Sequence, residues 1–322
     1  MKSSTSKEPE KLEKATQSGE TGAPPAVVAS PGKPAVRPPS KTPTFQAMHA
    51  ARYKRQELIN SIQDRTGRKL ICYVAGHQAE ICRDDTMFLV DLLHNVPSNE
   101  PLDFLLQTPG GDIDAAEKLI SMVRGKADSA SLRIIVPDYA KSAGTLMALG
   151  ADEVLMSDSS ELGPIDPQMV MDDGNGTRIT MPIVSYIEAY KEHSAALRKS
   201  PEDPVAQMML SKLDPTRVKH FETVMRRARM IAEELLQKGM FRVKSGNFTK
   251  IAGDLLDPAR WPTHGQMISA DDALDIGLTV DIRPADDLEW QLFWQLYCYQ
   301  RLDLLDRNKL FESSFASLPV GS

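Results

Sequence analysis

Cysteine, long apolar runs and excess positive charge are all scarce in this chain, and each scarcity narrows what it can be. Among 322 residues there are three cysteines, Cys72, Cys82 and Cys298, without metal-ligand spacing, so they read as buried or free thiols of a reducing, cytoplasmic compartment. No stretch approaches the roughly 18 consecutive apolar residues that a membrane span needs. The first residues lack the apolar core of a signal peptide, although a peripheral membrane contact stays open. Lys and Arg number 38 against 44 Asp and Glu, a formal net charge of −6, and a nucleic-acid partner therefore has no electrostatic support. Neither a G-x-x-x-x-G-K phosphate loop nor a metal-ligand cluster occurs, so no nucleotide, metal or other cofactor is expected.

Aromatic residues are absent before Phe45, while Pro24, Pro25, Pro31, Pro34, Pro38, Pro39 and Pro43 sit among Ser, Thr, Lys, Ala and Gly. Such a segment cannot bury enough surface to offset its ordering entropy. Residues 1–44 are therefore expected to form a disordered tail, 45–284 the folded domain and 285–322 a helical C-terminal extension. The pattern over 45–68 suggests an amphipathic helix with Arg52, Lys54, Arg55 and Arg65 on its polar side, a solvated basic face by default and a partner-subunit contact as the other reading. Residues 69–74 read as a first buried strand. Asp84 or Asp85 then caps a helix whose apolar face runs through Leu89, Leu92, Leu93 and Val96.

The informative region is 102–169. An apolar strand at 102–107 runs into Thr108-Pro109-Gly110-Gly111-Asp112 and a helix. A second strand, 132–136, runs into Pro137-Asp138-Tyr139-Ala140-Lys141-Ser142-Ala143-Gly144-Thr145 and another helix. Repeated strand–helix–strand units of this kind build a parallel sheet covered by helices, an α/β fold. A serine at the start of a helix sits beside backbone N–H groups that lack intrahelical partners, where an anion is stabilised. Gly110 and Gly111 can take positive φ and expose amides. With the Ala143 amide they would form an oxyanion hole around Ser142. Taken singly, the Gly pair is an ordinary tight turn and Ser142 an ordinary N-cap; two such turns in one unit point to a catalytic site.

These two turns, with the Leu162-Gly163-Pro164 corner, resemble the Clp/crotonase superfamily, and within it the serine dehydrogenase proteinase branch, related to signal-peptide peptidase A. The resemblance runs from about residue 52 to 284 and is strongest over 102–169. It implies a superhelical Clp/crotonase-like core and a serine endopeptidase that hydrolyses peptide bonds through an acyl-enzyme on Ser142. It also implies a homo-oligomer. Two other readings stay open: a crotonase-type enzyme acting on an acyl-CoA thioester, and a non-catalytic assembly protein that kept the fold and lost the base.

The base is less determined. Clp-type peptidases place a histidine where this chain has Leu162-Gly163-Pro164-Ile165, and none is present there. Signal-peptide peptidase relatives use a lysine well downstream of the serine. Lys191, beside Ala189 and Tyr190 on a mostly apolar helix, is the first choice, because a lysine desolvated in an apolar pocket can act as a base near neutral pH. Lys199 reads as solvated, and Lys141 as an electrostatic support at most. His264, between Thr263 and Gly265, competes with Lys191; His193 is the other histidine considered. Asp166 can orient a base or simply make an Asx turn.

After residue 169, Asp172-Asp173-Gly174-Asn175-Gly176 reads as a hairpin turn, and helices are expected at 182–199 and from Asp214-Pro215 to 238. Ser269-Ala270-Asp271-Asp272 starts a capped helix that ends at Gly277, and 278–280 forms a last strand. Trp290, Phe293, Trp294, Tyr297 and Arg301 make a stripe for the core or for a subunit contact.

Overall fold

A computed structural model of the chain describes residues 42–172, 176 and 178–321. The expected tail lies outside the described residues except at its end, where Pro43 and Thr44 begin a short helix. The chain divides into two units, Met1–Phe45 and Gln46–Ser322. Helices α1 (Pro43–Met48) and α2 (Ala50–Thr66) precede strand β1 (Lys69–Ala75). The alternation continues with α3 (Asp85–His94), β2 (Leu102–Gln107), α4 (Ile113–Ala127), β3 (Leu132–Ile135), β4 (Tyr139–Ala140), α5 (Ala143–Leu149), β5 (Glu153–Met156) and β6 (Glu161–Leu162). Strands β7 (Gln168–Asp172) and β8 (Arg178–Pro182) form an antiparallel hairpin; 173–175 of its expected turn lie outside the described residues. A helical stretch follows: α6 (Ile183–Lys199), α7 (Pro204–Ser211), α8 (Pro215–Lys238), α9 (Phe248–Leu256) and α10 (Ala270–Ile276). The chain closes with β9 (Val280–Ile282), α11 (Leu288–Leu302), β10 (Asn308–Ser313) and β11 (Ser317–Gly321).

Seven strands form the main sheet in the order β11-β10-β1-β2-β3-β5-β9. Strands β1, β2, β3, β5 and β9 run parallel, whereas β10 and β11 join antiparallel. Strand β1 shows why both faces must be covered. Ile71 and Tyr73 point into a core with α3, α4, α5 and α8, while Leu70, Cys72 and Val74 point into a second core with α2 and α11. The period-2 alternation of a strand splits its side chains between two cores. Local signals set the helix starts. Asp112 accepts from the Asp114 and Ala115 amides at the head of α4, and Ser269 and Asp272 complete a reciprocal capping box at α10.

Three expectations change here. The segment 285–322 is not simply a helical extension, because β10 and β11 complete the main sheet at the β1 edge. Lys309-Leu310-Phe311 is too short an apolar run to announce a strand, and its partner β1 is remote in sequence. Asp84 precedes α3 without a side-chain capping bond, and Asp85 is buried instead, accepting from the Lys309 ammonium at 2.7 Å and the Cys82 amide at 2.9 Å. Arg55 is not on a solvated face. It is buried and donates from Nε to Glu312 at 2.9 Å, with a further contact to Asp303. Glu312 is fully buried and also accepts from Gln300 at 3.0 Å and Ser317 at 2.7 Å. Of the aromatic stripe, Trp290, Phe293 and Tyr297 are core, and Trp294 is partly exposed.

The Arg55–Glu312 pair thus ties α2 to β10, and breaking one side leaves a charge in the core. Arg55→Ala is expected to lower stability by roughly 3–5 kcal/mol, and the double change Arg55→Met with Glu312→Leu to lose much less. Urea unfolding followed by circular dichroism measures both. An Arg55→Ala variant with the wild-type midpoint would show that the pair is not a buried link.

Candidate active site

The site forms where β2 and β3 end side by side. Past β2, the Thr108 amide donates to the Tyr139 carbonyl at 3.0 Å, and the Lys141 amide donates back to the Thr108 carbonyl at 3.1 Å. This pairing carries the two turns into contact. Gly110 and Gly111 have φ of 113° and 142°, values that side-chain-bearing residues avoid. A Cβ on Gly110 would stand 2.9 Å from the Ser142 Cβ, and one on Gly111 would stand 2.5 Å from the Ile81 backbone. Ile81 holds the outer side of this turn, donating to the Gly110 carbonyl at 2.7 Å and accepting from the Asp112 amide at 3.0 Å.

Ser142 occupies the position before α5 with φ 51° and ψ −114°, a strained conformation for a residue with a side chain. Its hydroxyl caps nothing, so the plain N-cap reading fails on geometry. The serine is partly exposed at the edge of an otherwise buried helix. Gly110 donates its own amide to Thr108 Oγ1 at 3.2 Å. The Gly111 and Ala143 amides meet no acceptor among the described residues.

Three contacts close the site around this turn. Thr145 Oγ1 lies 2.7 Å from the Ala140 carbonyl and accepts from the Gly163 amide at 3.0 Å, fixing the 162–166 corner to α5. Leu162 and Ile268 exchange backbone hydrogen bonds of 2.9 and 3.0 Å, which brings the 261–268 loop to the same corner. There His264 Nδ1 lies 2.7 Å from Asp166 Oδ1. Asp166 is 5% exposed and also accepts from Gln168 Nε2. A carboxylate only accepts, so the bond places a proton on Nδ1 and leaves Nε2 as the ring nitrogen not engaged by Asp166. On the other flank, Tyr297 donates to Asp138 at 2.7 Å; burial first, then Asp138, pushes that phenol well above its ordinary range, so it stays a donor.

Lys191 does not meet the condition that suggested it. It is exposed on α6, and its charge is a minor contributor, after Lys219, to holding the Glu222 carboxyl below its usual range. His193 and Lys199 share that helix. The structure thus groups Ser142, Gly110, Gly111 and Ala143, and brings Asp166 and His264 together at the adjoining corner. The His264–Asp166 bond spans 98 positions, and only the placement of a lone histidine in a loop hinted at it.

The family model for ClpP-like SDH-type serine proteinases matches residues 52–288. The chain belongs to that family. The match places its α/β architecture among ClpP-like folds. Two uncharacterized proteins of Methanocaldococcus jannaschii are similar to it. One is 28% identical over 205 residues, 64% of this chain and 62% of that protein. The other is 29% identical over 147 residues, 42% of this chain and 47% of that protein. The chain thus spans about half to three-fifths of the length of these curated relatives. Among solved structures, a serine-to-alanine variant of a membrane-bound stomatin-specific protease has 19% identity and a TM-score of 0.39, covering 68% of this chain and 82% of that one. ClpP1 from Listeria monocytogenes has 13% identity and a TM-score of 0.36, covering 71% and 95%. Among the described residues of this family member, no helix is long and apolar enough to cross a membrane.

Contact between the two turns makes Gly110 a sharp test of the geometry. Gly110→Ala combines a positive φ with a clash against Ser142, and is expected to destabilise the fold by about 1–3 kcal/mol. Denaturant unfolding measures this. An unchanged midpoint would mean that the turns are not packed as described.

Proposed function

We propose that the protein is a serine endopeptidase whose nucleophile is Ser142, whose base is His264 and whose orienting carboxylate is Asp166. The observation that carries this reading is the 2.7 Å bond from His264 to the buried Asp166, at the corner that Thr145 ties to the Ser142 helix. The strained Ser142 backbone, with its uncommitted hydroxyl, supports the nucleophile's role. In this mechanism Ser142 Oγ attacks the substrate carbonyl carbon while its proton passes to His264 Nε2. Asp166 keeps the imidazole in one tautomer and stabilises the cation that forms. The negative oxygen settles against the Gly111 and Ala143 amides, the pair without acceptors, at the N-terminus of α5. His264 then gives its proton to the departing amine as the C–N bond breaks, leaving an ester on Ser142. Water, deprotonated by His264, hydrolyses that ester and restores the serine.

Gly110 contributes close approach rather than a donor, since its amide is already taken. Lys191 has no part in this scheme, because it stands exposed on α6, outside the contacts that join the Ser142 turn to the Asp166 corner. A peptide or protein substrate, a homo-oligomeric state and a cytoplasmic location belong to the same proposal. The exposed Trp294 supports the second and the three free thiols the third.

A fluorophosphonate probe tests the assignment directly. Wild type is expected to be labelled and Ser142→Ala not at all. His264→Ala should slow labelling by about 10²–10⁴-fold, the usual contribution of a general base, and Lys191→Ala should leave it unchanged. The reverse pattern, a fast His264→Ala and a dead Lys191→Ala, would overturn the choice of base.

A further inference from the structure

Lys141 immediately precedes the nucleophile, yet its side chain runs away from it and joins two other segments. The stem lies along Gly163, where an added Cβ would stand 2.7 Å from Lys141 Cδ. The ammonium is 2.9 Å from the Glu161 carboxylate and donates to the Leu162 carbonyl at 3.1 Å and the Gln266 carbonyl at 3.2 Å. The Gly265 carbonyl is a longer contact at 3.5 Å. Glu161 and Leu162 open the corner that carries Asp166, and Gly265 and Gln266 directly follow His264. An ammonium has three protons, and the three shorter contacts take them all.

Packing does little to hold the His264 loop. Pro262, Thr263, Gly265 and Met267 are exposed, and a Cβ on Gly265 would meet nothing within 4 Å. Among the described residues, the hydrogen bonds from 264–266 to the rest of the fold are His264 to Asp166 and the two Lys141 contacts. The loop's ends are held by the buried Trp261 and by the Leu162–Ile268 bonds, and between them the imidazole bond alone leaves the backbone of 264–266 freedom to shift. The Lys141 ammonium removes that freedom from the backbone side, because the atoms it grips lie one and two residues beyond the histidine.

We infer that Lys141 is a positioning residue, which holds the His264 loop, the Asp166 corner and the nucleophile turn in one fixed arrangement. This rests on the Ser142–His264–Asp166 reading above. The lysine's charge is neutralised by Glu161, so what it supplies is geometry, and its loss is felt as a displaced base. Displacement of a catalytic group by about 1 Å costs on the order of 10²-fold in rate.

Fluorophosphonate labelling of the full chain, analysed for maximal inactivation rate and half-saturating concentration, tests this beside the imidazole NMR signals of ¹⁵N-histidine-labelled protein. Lys141→Met keeps the stem and removes the donors. It is expected to lower the maximal rate about 10²-fold with little change in half-saturation, and to shift or broaden the His264 signal, identified by its absence in His264→Ala. Lys141→Arg, which keeps donors, should recover part of the rate. Glu161→Gln, which leaves the three carbonyl acceptors in place, should show a smaller fall and serves if Lys141→Met does not fold. A Lys141→Met protein with wild-type rate and an unmoved His264 signal, or a loss confined to half-saturation, overturns the inference while the triad stands. Absence of labelling in wild type, or full-rate labelling of His264→Ala, overturns the triad instead; the His264 signal in Lys141→Met still decides whether the lysine holds the loop.

Discussion

The pairing of Thr108 with Tyr139 and Lys141 is the constraint on which the site depends. Two backbone hydrogen bonds, of 3.0 and 3.1 Å, extend the β2–β3 register past the main sheet. They force the turn after one strand against the turn after the next. Only glycine tolerates the result at 110 and 111, and Gly144 is under a related demand, since a Cβ there would stand 2.5 Å from Thr108 Cγ2. The strain at Ser142 follows from the same pairing. Its neighbour Lys141 is fixed in a strand-like bond on one side, and α5 begins immediately on the other, so the serine absorbs the change of direction. Strain of this kind costs of the order of 1–3 kcal/mol and persists only where the surroundings over-determine it; here the buried helix α5 and the Thr145 bonds do so.

That half of the site was legible in the amino-acid sequence because it is local. A Gly-Gly turn and a Ser-Ala-Gly turn, each between an apolar strand and an apolar helix, carry their own geometry. The choice of base was not legible, because it depends on distance across the fold. Lys191 and His264 are each plausible from their neighbours alone. What separates them is that α6 leaves Lys191 in solvent, whereas the Leu162–Ile268 bridge delivers the His264 loop to Asp166. Periodicity cannot report either fact. Lys141 was read as an electrostatic support at most, and its contacts were hidden for a related reason. The divergence of consecutive side chains, which turns it away from Ser142, is what lets it reach the two segments that carry the imidazole and the carboxylate.

The fold was readable to the same extent. Alternating strands and helices from β1 to β5 announced a parallel sheet, and the capping pattern at Ser269 announced its helix. The C-terminal strands escaped notice because each has few apolar residues and the sheet edge that receives them, β1, is remote in sequence. Arg55 was misplaced by a rule that holds for most arginines: a cation on an amphipathic helix faces water. It fails here because Glu312, brought in by β10, meets the guanidinium inside the protein. A buried pair like this adds little net stability over an apolar one, but it strongly disfavours arrangements in which either partner is alone. Its physical effect is to specify that β10 sits beside α2 and nowhere else.

That placement reaches the Gly110-Gly111 turn. Strand β10 carries Lys309 as well, whose ammonium meets the Asp85 carboxylate 2.7 Å away in the interior. Asp85 also accepts from Tyr73 at 3.1 Å and from the Cys82 amide at 2.9 Å, and burial, followed by Asp85, pushes the Tyr73 phenol well above its ordinary range. The residue before Cys82 is Ile81, the one whose backbone grips Gly110 and Asp112. A continuous chain of buried polar contacts therefore runs from the C-terminal strands through Asp85 to the outer wall of the Gly110-Gly111 turn. Its members lie in low-dielectric surroundings, where an unpaired charge is expensive, so each holds the next in place. The turn thus needs no rigidity of its own: Thr108 fixes its inner edge, and a wall anchored on the last sheet strands fixes its outer one.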